Sequence, residues 1–363
     1  KNATVEEPSV GYLKRTKNCA LDYRDKMDEF EILFSYVNGD FNLIERNHNL
    51  NENRYIFGDN YLVLKKLLDT HRGRIDLIYI DPPFGTGNDF NSINDETAYS
   101  DKIIDSEFLE FLRKRLFLLR ELLSEEGSIY LHIDKKIGHY VKIIMDEVFG
   151  YNNFINDITR IKCNPKNFSR NAYGNYSDMI LYYAKNRDNQ IWHNIREPMS
   201  EEKRKELFPK KHPKLGYYTT HPIHAPGKTI DGDTGLEWKG LLPPKGRHWR
   251  YSREVLTELD NKGLIEWSET GNPRKIVLAS EHNGFKIQDV WEFKDKGLSY
   301  VDYPTQKNDN LLERIILNSS NENSIVLDCF CGSGSTLKTA FRLNRKFIGI
   351  DNSTHSLDVV RKT

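Results

Sequence analysis

"VLDCFCGSGSTLKTAFRLNRKFIGIDNS", residues 326–353, reads as a strand, a glycine turn, a helix and a second strand that ends on Asp351. Such a unit is built to receive a nucleotide-like ligand. Gly332 and Gly334 let the backbone come close to it. The helix start offers unpaired N–H groups, and an acid at the next strand tip can bond two ribose hydroxyls. The turn departs from the dinucleotide fingerprint, because Leu337 stands where a third glycine is needed, and no Gly-Lys-Ser/Thr of a P-loop follows. Asp328 precedes the glycines. A carboxylate there repels a diphosphate but suits a ligand with a cationic centre and an amino group. S-adenosylmethionine has both, and a ribose; taken alone, the stretch favours a methyl-donor site and keeps an NAD site as the alternative.

Outward from this unit, strands and helices alternate. "RYIFGDN" (54–60) reads as a short strand and turn, and "NYLVLKKLLDT" (60–70) has helical spacing in Leu62, Leu64, Leu67 and Leu68. "IDLIYI" (75–80) is a continuous apolar run of the kind buried on both faces of a parallel sheet. It leads into "DPPF" (81–84) and the loose "GTGNDF" (85–90). The spacing predicts a helix from Ser106, as cap, to Gly127, as stop, then a strand "SIYLHID" (128–134) and a helix closed by Gly150. This pattern argues an α/β fold with a mostly parallel sheet. "FINDITRIKC" (154–163) and "DMILYYAK" (178–185) read as a hairpin-like extension, and "DKMDEFEILFSYV" (25–37) as one amphipathic helix. The alternation lapses over a region rich in Pro, Gly, Trp, His, Lys and Arg, and returns near "NLLERIILNSS" (310–320). The expected organisation is an N-terminal extension (1–53), an α/β domain formed by 54–185 with 297–363, and an inserted domain over 186–296.

The bulk properties constrain the function. The chain has 363 residues, 38% hydrophobic and 29% charged. That length suffices for a large core, and no apolar stretch is long enough to cross a membrane as a helix. No signal peptide is legible, and four cysteines are too few for a disulfide scaffold, so a cytoplasmic setting is expected. With a formal net charge of +0, any nucleic-acid surface must be local. No metal site is expected. Cys329 and Cys331 lack a second ligand pair, and His221 and His224 read as loop histidines.

Taken together, the motifs resemble those of the permuted β type of DNA amino-methyltransferases, among the site-specific adenine methyltransferases of restriction–modification systems. "DPPF" resembles the family's D-P-P-[YFW] motif, "DCFCGSGST" (328–336) its D-P-F-x-G-S-G-T-T motif, and "YPTQKND" (303–309) its Y/H-P-T-Q-K-P segment. "FIGID" (347–351) resembles the ribose-binding strand and "FGDN" (57–60) the strand end that holds the donor's adenine. Cys329, Ser335 and Asn308 depart from the family's Pro, Thr and Pro. The resemblance implies a Rossmann-like methyltransferase sheet, circularly permuted, with an inserted target-recognition domain. Closed into a ring, the chain brings the strands of Asp328, Asp351, Asp59 and Asp81 into succession, each acid at one sheet edge. S-adenosylmethionine is the implied cofactor, held by Asp59, Thr305, Gln306, Lys307, Asp328, Phe330, Gly332, Gly334 and Asp351. Double-stranded DNA is the implied partner, with a homodimer or a restriction-system subunit as further candidates.

Asp81, Pro82, Pro83 and Phe84 then form the expected catalytic segment. The amino group of adenine is a poor nucleophile because its lone pair is conjugated with the ring. A carboxylate oxygen of Asp81 and the carbonyl of Pro82 can accept both N–H groups, and the prolines fix the aim. Phe84 offers a face to a flipped-out base. Ser in place of Asp leans toward N4-cytosine in this family, so Asp81 leans toward adenine N6, with N4-cytosine transfer as the alternative. A non-catalytic DNA-recognition partner subunit is the other alternative, against which the intact Asp81, Gly332, Gly334 and Asp351 argue. Expected DNA contacts are Arg160, Lys162, Lys166, Arg170, Arg247, His248, Trp249 and Arg250. For "PPKGRHWRYS" (243–252) the alternative is a strand of the insert's own core, and "EEKRKELFPKKHPK" (201–214) reads equally as a phosphate-binding run or a solvated face.

Overall fold

The computed structural model describes residues 20–44, 52–83, 106–164, 171–295 and 308–362. Two compact units are formed, one by the chain up to Ile195 with the chain from Gln288 onward, the other by Arg196–Ile287. The first unit holds an eight-stranded sheet. Numbered in chain order, its strands are β1 (Arg54–Phe57), β2 (Ile75–Ile80), β3 (Leu123–Ile133), β4 (Phe154–Ile161), β5 (Ser177–Ala184), β6 (Val290–Glu292), β7 (Ile325–Asp328) and β8 (Lys346–Asp351). Their order across the sheet is β1-β8-β7-β2-β3-β5-β4-β6. Every neighbouring pair is parallel except the two that β5 makes, with β3 and β4.

The sequence dictates this centre. In β2 every residue but Asp76 is buried, as a largely apolar strand between two helical layers must be. Its neighbour β7 comes from the far end of the chain, with Leu327 opposite Ile78. Helices Asn60–His71, Ser106–Leu122 and Lys135–Phe149 pack Leu64, Leu67, Leu112, Leu116, Phe117, Val141 and Ile144 into one core with β2 and β3.

Four expectations need correction. The helix predicted to reach Gly127 ends at Leu122, because the carbonyls of Glu121 and Leu122 accept from Gly73 and Arg74 and start the pairing of β3 with β2. Gly127 lies within that strand instead. A Cβ there would sit 2.8 Å from the Ile75 carbonyl oxygen. The hairpin-like pairing of β4 with β5 is present, antiparallel from Phe154 opposite Tyr183 to Ile161 opposite Ser177, but it is no extension: β5 is buried along most of its length between β3 and β4, as an interior strand. The amphipathic helix near the N-terminus is shorter than expected, Glu29–Phe34, capped by the Asp28 side chain. Residues 186–195 and 288–295 join the first unit, so the second is narrower than the predicted insert.

The second unit has its own antiparallel sheet of four strands, in the order Ile265–Trp267, Pro273–Leu278, Gly216–Pro222, Lys210–His212. Ile223, Trp238, Trp249, Leu256 and Ile265 form its small core.

Residues 20–34 are bound to the first unit by buried charge. Arg113 is 3% exposed and bonds Glu110, Glu147 and the Met27 carbonyl. Tyr23 donates to Glu110 at 2.6 Å, and Lys26 to Glu147 at 2.9 Å. Removing one member of such a network strands the others in a poorly solvated site. Arg113→Ala is therefore expected to lower the unfolding free energy by about 3–5 kcal/mol, read by chemical denaturation.

Candidate active site

The carboxyl ends of β1, β8, β7 and β2 lie side by side along one edge, the place where open α/β sheets bind ligands. Asp328 closes β7 and Asp351 closes β8, while Asp81 directly follows β2 and Asp59 lies two residues beyond β1. Backbone donors hold these acids. Asp351 accepts from the Gly332 and Ser353 amides, both at 2.8 Å, which closes the glycine turn onto the strand tip. Asp328 accepts from the Phe330 amide at 3.0 Å. Asp59 caps the helix Asn60–His71 through the Leu62 amide.

Gly332 has φ +50° and Gly334 φ +75°, conformations that L side chains rarely adopt. Helix Ser335–Arg342 starts directly after Gly334 without a side-chain cap, so its first amides stay available to a ligand. The wall beside the turn is aromatic and cationic. Phe330 packs against Phe111 at 6.1 Å, and the Arg115 guanidinium lies 3.4 Å from the Phe111 ring centre. Arg115 also bonds Asn60 at 2.5 Å and lies 3.5 Å from Asp59, while Asn60 donates to the Cys329 carbonyl at 2.8 Å. Arg115 and Asn60 thus tie the Asp59 helix start to the β7 turn. Neither stood out in the sequence, where Arg115 is one of several basic residues on a long helix.

Burial, with the nearby charges of Asp81 and Asp351, pushes the Asp328 carboxyl up to about 7, against the opposing bonds from Thr336 and the Phe330 amide. A buried acid held half-neutral in this way is matched to a cationic ligand. Cys329 and Cys331 are buried beside it, and burial pushes both thiols up.

Asp81 also faces a polar chain inside the sheet. His132 on β3 is wholly buried, with Nδ1 4.0 Å from Asp81 and 2.9 Å from the Tyr79 hydroxyl. Its Nε2 lies 3.2 Å from Asp178 on β5. Asp178 bonds Lys162 at 2.6 Å and lies 3.5 Å from Arg160. The sequence signal for His132 was one polar residue in the apolar strand "SIYLHID".

Pro82 is buried and Pro83 half-buried, while Phe84, Thr305, Gln306 and Lys307 lie outside the described residues. Two expected DNA contacts must be withdrawn. Arg160 has no exposed surface and bonds Asp295 and the Phe293 carbonyl. Trp249 is 2% exposed, donates to the Leu236 carbonyl and packs edge-on against Trp238, so the core alternative holds for it. Lys162 is engaged by Asp178 and Asp134. Lys166 and Arg170 lie outside the described residues. Arg247 and Arg250 are exposed and converge on His224, and His248 bonds the Gly227 carbonyl. On helix Glu201–Leu207, Lys203 and Arg204 pair with Glu206 and Glu201 of the same helix. Among the described residues no group of His, Cys, Asp and Glu forms a metal cluster, and no helix is long and apolar enough to cross a membrane.

The family model for DNA methylases matches residues 75–362, from the first residue of β2 to the last helix. Type II methyltransferase M.EcaI of Enterobacter cloacae is 42% identical over 353 residues, covering 94% of this chain and 76% of that protein. The chain belongs to the DNA methylase family. The methylase is also 28% identical to the type III restriction-modification enzyme StyLTI Mod subunit of Salmonella typhimurium, over 95% of this chain. It spans 58% of that subunit's length, and 48% of the HindVI Mod subunit of Haemophilus influenzae. Among solved structures, the M1.HpyAVI–SAM complex aligns at 18% identity with a TM-score of 0.46, covering 85% of this chain and 97% of its own.

The raised Asp328 value has a consequence for the methylase without ligand. The folded state binds this proton more tightly than the unfolded chain does, so the stability it contributes is present at low pH. That stability is lost as pH rises from the ordinary value of 3.8 through about 7. Asp328→Asn is expected to raise the melting temperature at pH 8, with the difference vanishing toward pH 4. Thermal denaturation at both pH values checks it.

Proposed function

We propose that this chain transfers the methyl group of S-adenosylmethionine to the N6 amino group of an adenine flipped out of double-stranded DNA, at a specific site. The observation that carries the reading is the adjacency of β2 and β7: the Asp81-Pro82 pair and the Asp328–Gly334 turn emerge from neighbouring strands at one sheet edge. When bound, the donor supplies a methyl group on a positively charged sulfur.

The residues present fit such a donor. Each oxygen of Asp351 already takes one backbone amide and retains a lone pair for a ribose hydroxyl. Asp328 offers a buried carboxylate to positive charge. The glycine turn and the uncapped helix after it leave room for close backbone approach, and Asp59 remains about half-exposed at the end of the site. Phe330 and Phe111 offer apolar faces beside it. Thr305, Gln306 and Lys307 are proposed to complete the site.

At the acceptor side, Asp81 and the Pro82 carbonyl take the two hydrogens of the amine. Both acceptors engage only while the nitrogen is partly tetrahedral, so its lone pair is drawn out of conjugation and aimed at the methyl group. Positioning contributes much of the remaining effect. Phe84 stacks on the extruded base. The central position of strands from the end of the chain supports a circularly permuted methyltransferase order. Residues 196–287 are proposed to read the target site, with Arg247, Arg250 and His248 on their surface as contacts. A second copy of the chain or a restriction-system subunit is proposed as a further partner.

Asp81→Ala is expected to abolish transfer while leaving donor affinity largely intact. Methylating DNA with labelled donor and digesting it to nucleosides checks both reaction and base: label in N6-methyladenine supports the reading, and label in N4-methylcytosine replaces adenine by cytosine in it. Arg250→Ala is expected to flatten the log–log salt dependence of DNA binding by about one unit. Arg247→Ala is expected to narrow the preference for cognate over random DNA by about ten- to hundredfold. Affinity for both DNAs across a salt series reads these effects.

A further inference from the structure

We propose that His132 is a positioning residue for Asp81 and the buried group that receives, through Asp81, the proton released by the methylated amine. The proposal rests on the reading that Asp81 engages the target amine. It stands on the chain Asp81–His132–Asp178, which crosses three strands on one face of the sheet.

The resting proton positions follow from the neighbours. Asp178 bonds His132 and Lys162 and lies 3.5 Å from Arg160. Burial works against its charge, yet the bond from His132 and the bond and charge of Lys162 hold its carboxyl below the ordinary value, so it is ionised. His132 Nε2 must then carry hydrogen and donate to Asp178. Tyr79, fully buried, keeps its phenolic proton, which burial first and then the charges of Asp81 and Asp328 hold far above the ordinary value. When the imidazole is neutral with hydrogen on Nε2, the Tyr79 hydroxyl donates to Nδ1.

Transfer breaks the donor's S–C bond and forms an N–C bond on the amine, which is left with a positive charge. The amine gives one N–H proton to Asp81. The Tyr79 hydroxyl turns its hydrogen away from Nδ1, freeing the ring lone pair, and Asp81 passes the proton to Nδ1, 4.0 Å away. That separation exceeds direct hydrogen-bonding range in the resting site, and catalytic contacts tighten in the working complex. The imidazolium so formed lies between two carboxylates, Asp81 on one nitrogen and Asp178 on the other. Asp81 returns to its ionised form without opening to solvent. The charged groups around His132 are Asp81 just after β2, Asp178 on β5, Arg160 on β4 and Lys162 just after it, Asp134 just after His132's own strand, and Asp328 on β7, which acts on the adjoining Tyr79.

The test is nitrogen-15 NMR of the histidine side chains of the full chain, alongside single-turnover methylation of DNA across pH. The His132 signal is the one lost in His132→Gln or, if that variant does not fold, the one most displaced in Tyr79→Phe. At high pH it is expected to show the Nε2–H tautomer. Asp81→Asn is expected to lower its titration midpoint by about one to three pH units, because an opposite charge is removed. Tyr79→Phe is expected to raise the midpoint, and the acid limb of the methylation rate should move up with it. His132→Gln is expected to slow transfer about a hundredfold without changing donor affinity. A midpoint indifferent to Asp81→Asn would overturn the proposal, as would a wild-type pH profile in Tyr79→Phe. Wild-type protein that transfers no methyl group would overturn the underlying reading, and the proposal with it.

Discussion

Carboxylates crowded at one edge of a parallel sheet repel one another, and in a buried site that repulsion is weakly screened. This methylase gathers Asp328, Asp351 and Asp81 at such an edge, with Asp59 beside them. The surrounding structure is arranged to make the crowding tolerable. The amides of Gly332, Ser353, Phe330 and Leu62 point at carboxylate oxygens. Arg115 approaches Asp59 from a neighbouring helix. One acid, Asp328, is left only half-ionised near neutrality. The glycine turn follows from the same constraint, since the Gly332 amide can reach Asp351 only if the backbone folds back sharply. Positive φ at Gly332 and Gly334 supplies that fold.

A second consequence runs sideways through the sheet. The residues Tyr79, His132, Asp178, Arg160 and Lys162 replace what would otherwise be an apolar layer across β2, β3, β5 and β4. Buried charge of this kind is tolerated only when paired, and each ion here has a partner at hydrogen-bonding or ion-pair distance. Arg160 therefore anchors β4 to Asp295, beyond β6, rather than meeting a phosphate. The chain of pairs ends at Asp81, the residue on which the proposed chemistry depends.

Much of this was legible in the sequence. The apolar run 75–80 and the unit 326–353 fixed a parallel sheet with acids at its edge, because buried parallel strands and glycine turns have few other readings. Long-range pairing was not legible. A helix pattern continues past Leu122, but backbone pairing with residues 73–75 ends it there. Arg160 and Lys162 look like any basic residues beside a loop until Asp178 and Asp295 are brought against them. Trp249 lies among arginines and yet fills a core, because Ile223, Trp238 and Leu256 surround it. His132 was passed over because one histidine in a strand acquires meaning only through residues distant in the chain.

The central claim is that the acidic sheet edge is a receptor for a cationic methyl donor, tuned by Asp328. Calorimetric titration of S-adenosylmethionine into the protein near pH 7, in buffers of different ionisation enthalpy, tests it most directly. The account predicts saturable binding with net proton release, because a cation beside Asp328 favours its ionised form, and loss of that release in Asp328→Asn. Absence of binding, or binding with no proton released by the wild type, would contradict it.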